Sequence, residues 1–275
     1  MAAGPDQLAR LVDAWSEAVD DVVALLRSLD DEQWAAPTDL PGWDVRAVAA
    51  HLAHIEAELA GMVEPMTDVA VSTPGPATIV VAAYTESGVR ARAHRSADEV
   101  LAELATAAKT RLLELRGNLP TDPAGTPPRT PGGVAWDWAT LLGNRVIDVW
   151  MHGQDIRRAV GRPGATATAA ARHTVETFTR GFLYAVGKRV APSGGTTVVL
   201  DVTGGTPLHL PVTMQGSRAV PMAADPAEPD TGLRMDLESF AILSGGRRAP
   251  DRVQVELSGD RELAGRILAA MAVTP

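Results

Sequence analysis

The chain has no cysteine. That excludes disulfides, thiolate metal ligands and a protein thiol nucleophile, so any sulfur chemistry must enter with a cosubstrate. Lysine is almost missing as well: Lys109 and Lys188 are the two that occur, and Arg supplies the remaining positive charge. No apolar run approaches the roughly 20 residues that a membrane span needs. Residues 1–6 lack the basic patch and apolar run of a secretory signal. A cytoplasmic protein with no membrane partner is therefore expected. A basic surplus is absent too. Net charge is −9, and residues 1–165 hold 14 Lys and Arg against 23 Asp and Glu, while residues 166–275 hold 11 of each. Nucleic acid is excluded as a general partner, because neutralising phosphates requires a basic face. No period of 20–50 residues recurs, so the chain is not a solenoid.

What is present suits an ordinary globular protein: 275 residues, 45% hydrophobic and 21% charged, enough for a sizeable core and one or two domains. Leu8, Leu11, Val12, Trp15, Val19, Val22, Val23, Leu26 and Leu29 recur at helical spacing and predict an amphipathic helix over 6–29. Trp34 falls in the link to a second helix over 44–61. The proline-bearing stretch 62–76 reads as a loop, and 77–95 as a third helix broken or strained near Gly88. Ser96 and Glu99 form a capping box that opens a helix ending near Gly117. Five prolines make 118–133 a loop, and a long helix then runs from about Gly133 or Trp136 to Gly161, where Gly-Arg-Pro-Gly stops it. All six tryptophans lie in residues 1–150, as core packing of a helical bundle would place them. Trp136 and Trp138, two apart, would point to different faces, one of them toward a pocket.

Beyond residue 166 the texture changes. A helix over 167–187 precedes two strands, 196–202 and 207–212, joined across Gly204-Gly205 as a hairpin. A strand over 232–236, a short helix over 237–243, a strand over 252–257 and a final helix over 260–271 complete a small α+β unit. His173 and His209 read as structural or surface residues. The expected architecture is thus α+β in two domains, 1–165 helical and 166–275 α+β.

Two stretches carry candidate chemistry. On the last helix of the first half, Arg145, Asp148, His152 and Asp155 form one stripe, spaced three, four and three. Asp148 and His152, at i and i+4, can therefore reach one small object. Leu141, Leu142, Val146, Val149, Trp150 and Ile156 flank the stripe with apolar surface, where polar groups are expensive unless paired. A metal ion would pair both; so would a mutual hydrogen bond, or solvent. On the second helix, opened by the turn Pro41-Gly42 and the N-cap Asp44, with Trp43 placed to staple onto Val48, His51 shares a face with Val48, Leu52 and Ile55. It is either a ligand or a core histidine bonded to a carbonyl. His54 sits at the edge of that face.

Pro-Gly-Trp-x-Val-Arg-x-Val-x-x-His-Leu at 41–52, followed by Arg-x-x-Asp-x-Trp-x-His-x-x-Asp-Ile-Arg at 145–157, resembles the mycothiol-dependent maleylpyruvate isomerase family. The C-terminal run from Val255 to Pro275 looks like that family's end as well. The resemblance implies a DinB-like four-helix bundle over 1–165 and a sterol-carrier-like α+β domain over 166–275. It also implies a divalent metal, usually zinc, held by His51, Asp148 and His152. The family's acidic ligand is often Glu; here it is Asp148, one methylene shorter, which bears on coordination distance and metal preference.

Three protein ligands leave a fourth position open, as in catalytic rather than structural zinc sites. Mycothiol would be the cosubstrate, its thiol favoured in the deprotonated form at the metal. The thiol would add to an activated double bond, giving cis–trans isomerisation of a small unsaturated acid or S-transfer to an electrophile. Arg145 and Asp155 are the candidate catalytic residues. Arg145 would meet an anionic substrate or else pair with Asp148 or Asp155, and Asp155 would orient a ligand. Two other classes fit the same residues: a metal-hydroxide hydrolase or lyase needing no thiol, and a non-catalytic small-molecule-binding protein. A monomer or small homo-oligomer is expected.

Overall fold

The computed structural model describes residues 5–63 and 82–272. From residue 64 on, the loop expected over 62–76 lies outside them, as does the expected third helix before residue 82. The chain divides into two compact units, 1–165 and 166–275.

The first unit is a helical bundle. α1 (Pro5–Arg27) buries Leu8, Leu11, Val12, Trp15, Val19, Val22, Val23 and Leu26 along one face. α2 (Asp31–Trp34) is a single turn inside the expected link. The side chain of its N-cap Asp30 accepts from Gln33 N–H, and the Gln33 side chain accepts from Asp30 N–H. This reciprocal cap lets so short a helix persist and tucks Trp34 inside. α3 (Val45–Leu59) starts after the turn at Gly42, φ +81°. Asp44 caps it by accepting from Ala47 N–H at 2.8 Å.

α3 is buried on nearly every side from Val48 to Leu59. Its Ala-rich sequence removes side-chain bulk, so α4 (Ala82–Arg90), α5 (Ala97–Gly117) and α6 (Trp138–Ala159) can all pack on it. α1 packs on α5 and α6 and closes the four-helix core of α1, α3, α5 and α6. α5 carries the expected capping box, Ser96 with Glu99. α6 begins at Trp138, with Asp137 as its cap, so Trp136 precedes the helix instead of sharing it.

Gly88 does not break α4. The helix runs through it, and a Cβ there would lie 2.3 Å from His54 Cδ2. The glycine is required because the imidazole occupies the space that any other side chain would fill.

The second unit is a five-stranded sheet with helices. α7 (Ala169–Tyr184), capped by Thr168, runs on into a wider turn over Ala185–Val190 in place of ending at Gly187. A Cβ on Gly187 would fall 2.6 Å from Ala219 N, so close approach of strand and turn demands the glycine. β1 (Thr197–Thr203) and β2 (Leu208–Gln215) form the expected antiparallel hairpin. β3 (Arg218–Pro221) is a short edge strand that the sequence reading missed; only four residues pair, with no alternation to betray them. β4 (Thr231–Asp236) pairs parallel with β1, Leu200 opposite Leu233. α8 (Leu237–Ser244) follows. The strand expected over 252–257 is displaced: Pro250 sets a short 3-10 turn over Pro250–Arg252, and β5 runs Glu256–Gly259. α9 (Arg261–Ala270) ends the unit, and the sheet order is β3-β2-β1-β4-β5. The architecture is α+β, a helical N-terminal region followed by a sheet unit. No helix among the described residues is long and apolar enough to cross a membrane.

Each unit encloses its own apolar core, so a fragment of residues 1–165 is expected to fold alone. Circular dichroism should show a helical spectrum with a cooperative melt; a fragment without cooperative unfolding would show that the two units share one core.

Candidate metal centre

α3 and α6 bring His51, Asp148 and His152 together. Each offers one ligand atom, and the three atoms lie within 4.8 Å of one another. Asp148 stands between the histidines: its Oδ2 is 3.5 Å from His51 Nε2 and its Oδ1 is 3.5 Å from His152 Nε2. A tetrahedral ion with bonds of about 2.0–2.1 Å spaces its ligands about 3.4 Å apart, so both separations are of coordinating size and too long for good hydrogen bonds. The imidazole rings meet edge to face at 4.8 Å.

His51 has neither nitrogen hydrogen-bonded, although it is only 4% exposed. A buried imidazole without partners is costly, and a cation at Nε2 would relieve this. His152 is held differently. Its Nδ1 lies 3.1 Å from Asp155 Oδ2, and Asp155 also accepts from Arg158. A carboxylate at Nδ1 fixes the proton there and leaves Nε2 with its lone pair toward Asp148 and His51.

The charge states suit a cation. Burial pulls the His51 pKa down, more than Asp148 raises it, so the ring is neutral. Burial works to raise the Asp148 pKa, but the Arg145 guanidinium beside it outweighs this and holds the carboxyl well below the usual range. A neutral His51 and an ionised Asp148 are the forms that bind divalent ions. The donor set therefore fits a divalent metal.

Arg145 is 3% exposed and fully engaged. Its Nη1 donates to Asp148 Oδ2 at 2.7 Å, and its Nε and Nη2 donate to Glu56 Oε1 at 3.1 and 2.7 Å. Of the two arrangements open to it in the sequence, pairing with Asp148 is the one found. Glu56 escaped the sequence reading. It lies between apolar neighbours on α3, and its one signal was that a carboxylate within such a stripe must have a buried cation to meet it. The aromatic residue at the centre is Trp43, its ring 5.3 Å from His51 and 6.2 Å from His152. Trp136 and Trp138 instead pack against Ile55, Leu59, Tyr84 and Leu141, and Trp138 lines a separate cavity of about 110 Å³ with Arg111, Leu115 and Asn118.

His54 belongs to a different polar cluster. Arg92 Nη1, which can only donate, lies 3.2 Å from His54 Nδ1. His54 must accept there and carry its proton on Nε2, which disqualifies that nitrogen as a ligand. Burial, reinforced by Arg92, drops its pKa to about 4. Nearby, Glu58 accepts from Tyr84 O–H and from Gly132 N–H at 3.0 Å.

Residues 15–157 match the family described as mycothiol maleylpyruvate isomerase N-terminal domain. The chain belongs to that family. Two solved structures share its fold: a crystal structure of the mycothiol-dependent maleylpyruvate isomerase and another of a histidine-to-alanine mutant of it. Both give a TM-score of 0.57 at 14% sequence identity; the alignments span 91% and 90% of this chain, and 92% of the other in each case. No curated protein sequence matches the chain. All three clustered side chains lie within the span that matches the family.

Burial raises the Glu58 pKa from 4.5 to about 7, against the pull of the Gly132 N–H. A carboxyl raised on folding stabilises the native state below its unfolded pKa, and this contribution is lost as pH rises through the folded value. Glu58 should therefore make stability fall between pH 4.5 and 7, by up to roughly 3 kcal/mol at about 1.36 kcal/mol per pKa unit. Urea unfolding of wild type and Glu58→Gln at pH 5, 6, 7 and 8 checks this. A difference between the two proteins that stays constant with pH would refute it.

Proposed function

We propose that the chain is a metal-dependent enzyme that uses mycothiol to add to an activated small molecule, giving cis–trans isomerisation or S-transfer. The observation that carries this reading is the His51–Asp148–His152 cluster, with both His51 nitrogens unpaired, inside the region that belongs to the mycothiol maleylpyruvate isomerase family. His51 and His152 through Nε2, and Asp148 through its carboxylate, would hold one divalent ion, for which zinc suits the nitrogen–oxygen set. When bound, the ion favours the deprotonated form of an incoming thiol and leaves one position for it.

The protein's own residues set up the rest. Asp155 keeps the His152 proton on Nδ1, so Nε2 stays a donor of electrons and not of a proton. Arg145 aims Asp148 Oδ2. Trp43 covers the two imidazoles with apolar surface and limits water beside them. Since the chain has no cysteine, the sulfur arrives with mycothiol. The thiolate adds to the β-carbon of a cis enoate conjugated to a carbonyl, and the electron pair of the double bond moves onto the carbonyl oxygen. The former double bond rotates, the electron pair returns and the thiolate leaves, giving the trans isomer with no thiol consumed. With an electrophile carrying a leaving group, the same attack displaces that group and the C–S bond remains.

The purified protein should carry about one divalent ion per chain. His51→Ala and His152→Ala should each weaken zinc binding by more than about 100-fold, and Asp148→Ala strongly. His54→Ala should keep its metal, because Arg92 already holds the His54 lone pair. Metal analysis that finds full occupancy in His152→Ala, or loss in His54→Ala, would sink the assignment.

The thiol is tested by incubating zinc-loaded protein with maleylpyruvate and other α,β-unsaturated acids, with and without mycothiol, and analysing the products by mass spectrometry. Isomer or adduct should form only with mycothiol, and dithiothreitol should substitute poorly because it lacks the sugar contacts that orient the sulfur. Equal conversion without any thiol would refute the mechanism in favour of hydration or hydrolysis.

A further inference from the structure

Glu56 is fully buried on α3, away from the three clustered side chains, yet four hydrogen bonds converge on it. Its Oε1 accepts from Trp15 Nε1 at 2.9 Å and from Arg145 Nε and Nη2 at 3.1 and 2.7 Å; its Oε2 accepts from Arg111 Nη1 at 2.9 Å. Arg111 is buried as well and lies over the Trp15 ring, 4.6 Å from its centroid. We infer that Glu56 is a positioning residue for the metal centre, acting through Arg145 to hold Asp148 Oδ2 in its ligating orientation. The inference rests on the metal-centre reading above.

The geometry makes the case first. A guanidinium is planar, with its N–H groups in a fixed fork. Pinning the Nε–Nη2 edge on Glu56 leaves Arg145 no freedom to turn, so Nη1 can point only where it does, at Asp148 Oδ2. That oxygen is the one 3.5 Å from His51 Nε2. Without Glu56 the same guanidinium could swing an edge onto Asp148 and take both carboxylate oxygens, the bidentate pairing that Arg prefers. Asp148 would then be turned from the histidines.

Charge is a separate influence on the same site. Asp148, Arg145, Glu56 and Arg111 alternate in sign along one buried chain and sum to zero. Remove Glu56, and two guanidinium groups face the single Asp148 carboxylate, a net charge of +1 behind the site where a dication would bind. Arg111 takes the other oxygen of Glu56, Oε2, so its loss leaves the Arg145 fork on Oε1 in place and removes one positive charge from behind the site.

The test measures Zn²⁺ affinity of the full-length protein by competition with a chromophoric chelator, alongside the thermal melt of the metal-free form. Glu56→Gln should bind zinc roughly 10–100-fold more weakly, the range seen when a group behind a ligand is lost. In an Arg145→Met background the same substitution should cost less than about threefold, because the group it acts through is gone. Arg111→Met should bind zinc as tightly as wild type or more tightly. A purely structural Glu56 would lower the melt of Glu56→Gln and leave its zinc affinity unchanged, and that result overturns the inference. Equal losses in both backgrounds also overturn it, by showing charge at a distance and not orientation. Should Glu56→Gln fail to fold, Arg111→Met still decides: a tenfold or greater loss of zinc affinity is the wrong sign. If wild type and His152→Ala bind zinc equally poorly, the metal-centre reading itself fails and takes this inference with it; wild-type binding with an unaffected Glu56→Gln removes this inference alone.

Discussion

A charge removed from water must meet its opposite, and in the first unit this requirement organises the helices. α3 is an Ala-rich helix buried on almost all sides, yet it carries His51, His54, Glu56 and Glu58. Three of the four are answered by residues from other elements: Glu56 by Arg111 of α5, Arg145 of α6 and Trp15 of α1, His54 by Arg92 just after α4, Glu58 by Tyr84 of α4 and Gly132 N–H. Breaking one partner out of such a pair strands the other. The apolar contacts make the bundle compact, and these polar ones set which helix faces which, since a rotation of any one of them would leave a buried charge alone.

His51 is the exception. Neither of its nitrogens has a hydrogen-bond partner, whereas His54 and Glu56 each meet at least one. An imidazole with two unpaired nitrogens, facing an ionised carboxylate and a second imidazole, is a cost to stability that a ligand between them would relieve.

Much of this was legible beforehand. The stripe Arg145–Asp148–His152–Asp155 follows from 3.6 residues per turn, and the inward face of His51 follows from Val48, Leu52 and Ile55 around it. Asp44 announces its helix start by side-chain chemistry alone. The features that stayed hidden depend on long-range pairing. Glu56 has partners 41, 55 and 89 residues away, and no local pattern encodes such distances. β3 is too short to show a period, and the parallel pairing of β4 with β1 cannot be read from either strand. Gly88 looks like a helix breaker because nothing near it in sequence hints that a histidine ring needs its space. Trp136 and Trp138 were placed on one helix, whereas α6 starts only at the second of them.

The three clustered side chains are unequal in one further respect: the Asp148 side chain is 30% exposed, and those of His51 and His152 are 5% and 9%. The centre thus has a front and a back. On the proposed reading, a cation arriving from solvent would meet the carboxylate oxygen first and the imidazoles behind it only afterwards, so Asp148 would govern how fast an ion comes and goes.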